Sequence, residues 1–358
     1  MSKSKGKMKA SPSPRKKRKV SGAERKARQN VARHSTILFW STAIVLVLLF
    51  VGRWVVAIAG GYFGSFVEVD ASAATAVGNM KGLTPGAEEK AELLPLQKEW
   101  DQFASSRLRD EVTVTAEDGA LLHGYLYNEG ADVTVVVLPR FCQDGTADFL
   151  PGVSLNALTG CNLLLPDPRM HGGSGGTYFT YGLTEQYDIA AWLAWAEATL
   201  GPQTFILWGE GTGANTILMA AANGLLPENV AFAVAESPYA SLHQLAKESI
   251  WKWFGVPSFP FLGAIELKIS SKAGFAVKDV DLPAILENSE AGTPAVPVLF
   301  LRSTYDSYIL PAWSAAVEDA WTGPAQTIDG GGSHGTVYAA EQAAVDAVLA
   351  DWWATYGR

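Results

Sequence analysis

His334 is the residue in this 358-residue chain best placed for proton transfer, since it lies in the loop Gly330-Gly331-Gly332-Ser333-His334-Gly335 ahead of the last helical pattern. A histidine between a strand and a helix has little packing role there, and an imidazole titrating near neutrality suits general acid–base work. Asp306 follows an apolar run, within Arg302-Ser303-Thr304-Tyr305-Asp306. It is either an ordinary turn residue or the carboxylate that orients an imidazole. Two glycine-rich segments compete for the nucleophile. Gly172-Gly173-Ser174-Gly175-Gly176 matches Gly-x-Ser-x-Gly by letter, but it stands in a loop after Pro166-Asp167-Pro168-Arg169-Met170-His171. Gly209-Glu210-Gly211-Thr212-Gly213 has the strand–turn–helix setting that gives this pattern meaning, yet its centre is Gly211.

These residues need a scaffold. The segments 111–115 and 121–127 flank Glu117-Asp118-Gly119, which signals a hairpin. His123, inside the second segment, reads as structural. The runs 133–138, 163–165, 203–208, 231–235 and 296–301 are almost continuously apolar, as strands buried on both faces of a parallel sheet are. Helical patterns lie between them. Ile189, Trp192, Leu193 and Ala196 share a face, with Thr184 as an N-cap and Gly201 as a stop; 213–223 is a second helix, ended by Gly224; Val345, Val348, Leu349 and Trp352 mark the last. Alternating strand and helix gives a doubly wound α/β sheet. Residues 238–292 break the rhythm and gather Trp251, Trp253, Phe254, Phe259 and Phe261 among prolines, which reads as a short helical cap over the sheet's C-terminal edge.

Charge divides the chain. Residues 1–34 hold 13 Lys/Arg against the single acid Glu24, which leaves 15 basic against 35 acidic residues in the remainder. An acidic body excludes a nucleic-acid surface. Residues 36–52 carry no charge, and the apolar pattern runs on past Arg53 to Ala59. About 20 such residues cross a bilayer, so a membrane helix is expected at 35–60, with lipid contacts through 36–59. The basic tail 1–34 is expected on the cytoplasmic side and the body outside. Two other readings stand beside this one. Pro14-Arg15-Lys16-Lys17-Arg18-Lys19-Val20 resembles a nuclear localisation signal, and Ala57-Ile58-Ala59 and Ala71-Ser72-Ala73 have the form of signal-peptide cleavage sites. Residues 61–107 read as a linker and helical approach, and 108–358 as one large domain. Cys142 and Cys161 form neither a disulfide framework nor a zinc pattern, and no cofactor or metal is expected.

Taken in order, Thr115-Ala116-Glu117-Asp118-Gly119-Ala120-Leu121-Leu122-His123-Gly124-Tyr125, then Leu165-Pro166-Asp167-Pro168-Arg169-Met170-His171-Gly172-Gly173-Ser174, then Ala235-Glu236-Ser237-Pro238-Tyr239 resemble the α/β-hydrolase superfamily over about 108–357. The likeness is to its membrane-anchored bacterial branch with one N-terminal helix. The resemblance implies a nucleophile elbow, an acid and a histidine in that chain order. The acid then falls on Asp306, the histidine on His334 and the nucleophile position on Gly211, where the serine is missing. The backbone N–H groups of Thr212 and Phe141 take the oxyanion role. The oxyanion loop also departs from the family, with Pro139-Arg140 in place of its His-Gly pair. Substitutes for the serine are weak: Thr212 points elsewhere, Glu210 faces solvent or a lid, and Cys142 is inert packing. In this fold Cys142 and Cys161 stand at opposite strand ends, roughly 20 Å apart, beyond bridging distance.

Three functions follow from this reading: a residual or rebuilt hydrolytic site of esterase, lipase or peptidase type, a pseudoenzyme that binds a small apolar ester or acyl ligand or a protein in the old pocket, and an envelope scaffold. The altered elbow and altered oxyanion loop together favour the second. No particular protein partner is indicated.

Overall fold

The computed structural model describes residues 21–67, 87–141, 143–145, 149–254, 257–259, 261–289, 292 and 294–357. Cys142, the nuclear-signal segment and Ala71-Ser72-Ala73 lie outside the described residues. The chain forms two units, Met1–Val55 and Val56–Arg358.

Helix α1 spans Gly22–Val67, 46 residues, roughly 70 Å at 1.5 Å per residue. It is long and apolar enough over Gly22–Trp54 to cross a bilayer. The expected segment 35–60 therefore lies inside a longer helix. It starts earlier because Ala, Arg and Lys in 22–34 are good helix formers, and residues 61–67, expected as linker, continue it.

Helix α2 (Ala87–Ser105) precedes the sheet. Strands β1 (Asp110–Thr115) and β2 (Leu121–Tyr127) form the expected antiparallel hairpin, with Asp110 opposite Leu126. Gly119 takes a φ of 87° in its turn. Next come β3 (Val133–Leu138), α3 (Pro151–Thr159), β4 (Asn162–Pro166), α4 (Glu185–Leu200) and β5 (Thr204–Glu210). Then follow α5 (Thr212–Ala222), β6 (Val230–Glu236), α6 (Leu242–Phe254), α7 (Phe261–Ala273), α8 (Leu282–Glu287), β7 (Val298–Ser303), α9 (Pro311–Ala320), β8 (Ala325–Gly330), α10 (Val337–Ala340) and α11 (Gln342–Tyr356). The sheet order is β1-β2-β4-β3-β5-β6-β7-β8. Its first two pairings are antiparallel and the rest parallel.

Alternate strand residues feed two apolar layers, as the pleat requires. Val136, Leu138, Phe205 and Leu207 enter one layer; Val135, Val137, Ile206 and Trp208 enter the other. Residues 238–292, expected as a cap, hold the helices α6, α7 and α8. Thr184 stands at the start of α4 but makes no side-chain cap. The neighbouring Glu185 carboxylate instead accepts from the N–H groups of Thr180 (2.9 Å) and Gly182 (2.7 Å).

The loop after β4 is braced by charge. Arg169, 4% exposed, makes a two-pronged bond to Asp188 (2.6 and 2.7 Å) and a second to Asp118 in the β1–β2 turn. The two carboxylates raise the guanidinium's pKa against the effect of burial. The pair ties the hairpin to α4. Breaking one half of a buried ion pair leaves the other charge uncompensated. Arg169→Leu is therefore expected to lower stability by about 3–5 kcal/mol in denaturant unfolding of the detergent-solubilised full chain; a loss below about 1 kcal/mol would show the brace to be dispensable.

Candidate active site

The site is built at the junction of β5 and α5, where strand and helix nearly touch. A Cβ at Gly213 would lie 2.0 Å from the Leu138 carbonyl oxygen, and one at Gly209 would lie 2.5 Å from the backbone of 213–214. Only glycine fits either position. Between them Gly211 takes φ 51° and ψ −107°, a region that side chains occupy only under strain. Its N–H donates to the Glu236 carbonyl (2.8 Å), and its carbonyl accepts from Asn215 N–H (3.0 Å). The elbow is complete except for a side chain. A Cβ built at Gly211 would meet only ordinary contacts, at 3.6 Å from Arg140 Cβ and 3.8 Å from His334 Nε2.

Asp306 and His334 come together as the chain order implies. Asp306 follows β7, and its Oδ1 accepts from the N–H groups of Tyr308 (2.7 Å) and Ile309 (2.8 Å), which fixes the carboxylate. Its Oδ2 lies 2.8 Å from His334 Nδ1, and both side chains are buried. Tyr308 packs edge-on against the imidazole, with centroids 5.0 Å apart. Nε2 is thus directed at the Gly211 position, the arrangement in which a histidine takes a proton from a nucleophile. Thr212 opens α5, and both it and Phe141 line the small cavity shared by Gly211 and His334. That cavity measures about 20 Å³, room for roughly one water.

Its apolar walls do not come from the aromatic cluster of the cap. Trp251 and Phe259 are 60% and 86% exposed. The side chains of Trp253, Phe254 and Phe261 lie outside the described residues. Phe141, Tyr181, Tyr239, Leu245, Tyr308 and Ile309 supply the walls instead. Phe141 stacks on Tyr181 at 5.4 Å. Asn215 holds the segment after β6, donating to the Tyr239 carbonyl (2.8 Å) and accepting from its N–H (3.0 Å).

Ser174 is a clamp. Its hydroxyl accepts from His123 N–H (2.8 Å) and donates to the Asp167 carbonyl (2.7 Å). Asp167, buried, accepts from Gly145 N–H, Gly173 N–H and His123 Nδ1 at 2.6–2.7 Å, which also makes His123 structural. His171 is buried against the Arg169 carbonyl, and burial lowers its pKa. Cys161 directly precedes β4, buried, its thiol pushed up to about 11 by desolvation.

Three residues were not picked out from the sequence. Arg140 donates from Nη1 to the His334 carbonyl (3.2 Å), so the loop after β3 grips the histidine loop. Glu236 ends β6 directly beside Glu210 in the strand register. Glu210, expected to face solvent or a lid, instead lines a cavity together with Glu236. A carboxylate closing an otherwise continuous apolar run was the available signal for Glu236. Tyr239 is buried, and its hydroxyl has no hydrogen-bond partner among the described residues.

The fold has known counterparts. The family profile described as alpha/beta hydrolase fold matches residues 134–263. The esterase Pf2001 of Pyrococcus furiosus superposes with a TM-score of 0.58 at 18% identity, covering 72% of this chain and 94% of that one. The alpha/beta hydrolase GrgF from Penicillium sp. sh18 gives 0.51 at 18% identity, covering 70% and 100%. The uncharacterized protein YqkD of Bacillus subtilis is 26% identical over 200 residues, which is 52% of this chain and 64% of that protein, so the match spans just under two-thirds of YqkD. With the eight strands in this order, the profile match over 134–263 and these structural likenesses, the chain has the α/β-hydrolase fold.

Proposed function

We propose that this chain is a membrane-held pseudoenzyme of esterase-like ancestry, which has lost serine-dependent hydrolysis and keeps its pocket for a small apolar ester or acyl ligand. One observation carries the reading: an elbow in nucleophile-bearing geometry, faced by an intact Asp306–His334 pair, that presents no side chain at Gly211. The walls formed by Phe141, Tyr181 and Tyr308 favour an apolar ligand. The ester preference is taken from the Pyrococcus esterase, whose fold this chain shares.

Removing the nucleophile from such a triad costs on the order of 10⁴ to 10⁶ in turnover. In Gly211→Ser the new Oγ would attack the acyl carbon, His334 Nε2 would take its proton, and the departing alcohol would receive that proton back. The wild type is expected to show no fluorophosphonate labelling and aryl-ester turnover near background. Gly211→Ser is expected to label and to raise turnover by about 10² or more, an increase abolished by adding His334→Ala but retained on adding Ser174→Ala. Wild-type labelling that disappears in His334→Ala would instead establish a working hydrolase.

Membrane attachment rests on the apolar stretch of α1 and the basic residues before it. The full chain is expected to resist alkaline extraction from membranes. Protease added outside intact cells should digest the body and spare the tail. Release by alkali, or digestion of the tail alone, would overturn the anchor or its orientation.

A further inference from the structure

A second cavity of about 230 Å³ shares Arg140 with the small one, and acyl chemistry does not use it. Its lining combines polar Arg140, Gln143, Glu210 and Glu236 with apolar Leu93 of α2 and Leu150 and Pro151 at the start of α3. Glu236 is only 1% exposed. Its Oε1 accepts from Val337 N–H (2.9 Å), and among the described residues its Oε2 has no donor. Glu210 has no hydrogen-bond donor among the described residues either. Arg140 is already committed. Besides the His334 carbonyl it donates to the Gln143 amide oxygen at 2.9 and 3.0 Å, once that amide is oriented to accept. Its single charge balances one carboxylate, so the second carboxyl must hold a proton or meet another cation.

We propose that this cavity binds a small amphipathic monovalent ammonium ion, its N–H donors on Glu210 and Glu236 and its alkyl part against Leu93, Leu150 and Pro151. A divalent metal is a poorer fit, because no group of three His, Cys, Asp or Glu that could hold one occurs among the described residues. The charge state supports the ammonium. Burial raises both carboxyls above their usual range, and Glu210 adds to the effect on Glu236, which reaches about 8. The charges around them are Arg140 and His334 for Glu210, and Arg140 and Asp306 for Glu236. Near neutrality the pair therefore keeps one proton, which the ammonium replaces. The Glu–COOH ionises, its proton leaves to solvent, and the carboxylate pairs with the R–NH₃⁺ that arrives already charged. No covalent bond to carbon changes. Because the proton is displaced, affinity rises with pH below about 8 and levels off above it.

The site is tested by titrating the full chain, in nanodiscs, with n-butylammonium chloride by calorimetry in phosphate and in HEPES. Saturable binding is expected, with about one proton released per ligand at pH 7 and affinity about tenfold higher at pH 7 than at pH 6. Glu236→Gln keeps the acceptor for Val337 N–H, and it should weaken binding at least tenfold and abolish proton release. Glu210→Gln, at a half-buried position, should do the same and serves if the first variant misfolds by near-ultraviolet circular dichroism. Gly211→Ser should bind as the wild type does, which separates this site from the acyl pocket. No saturable heat, undiminished binding in both glutamine variants, or equal competition by potassium chloride would overturn the proposal.

Discussion

Everything at the functional end of this molecule follows from how closely α5 crosses β3 and β5. The helix backbone at Gly213 almost touches the carbonyl of Leu138, so α5 can start only where the chain leaves β5 through a sharp turn. That turn fixes Gly211 at a φ of 51° beside His334, which with Asp306 arrives from the ends of β8 and β7, three and two strands away. The buried alanines and Ile217, Leu218 and Met219 of α5 hold it there against the sheet. A close backbone approach of this kind is enforced by packing on all sides, so it survives whether or not the turn carries a reactive group.

The same constraint explains why the fold was legible and parts of the site were not. Runs such as Val133–Leu138 are buried on both faces, so their composition alone betrays a central parallel strand. The edge strand Ala325–Gly330 is largely half-exposed or exposed and gives no such run. The flanking glycines of the elbow and the loop position of His334 were readable because each residue type has few other reasons to be there. The cap misled, because exposed Trp251 and Phe259 and buried Tyr239 look alike in sequence. Glu210 and Glu236 are 26 positions apart, and only the strand register makes them neighbours.

Arg140 joins the two halves of this picture. It stands in the loop after β3, touches the space around Gly211 with its Cβ, and reaches the His334 carbonyl with its guanidinium. The histidine loop is thereby tied to the loop after β3 by a charged hydrogen bond, which is stronger than a neutral one. The loops around Gly211 leave no slack: the Asp306–His334 pair is buried, oriented and packed against Tyr308.

The conformation of Gly211 also bears on ancestry. A serine in that turn carries strain of about 1–3 kcal/mol, which glycine escapes. Glycine at this turn therefore avoids a strain that any side chain there would carry. A glycine codon of the GGT or GGC type becomes a serine codon by a single base change. A chain whose Gly211 codon is of that type lies one base change from a serine at the turn, and the backbone cost of that change is the strain of about 1–3 kcal/mol.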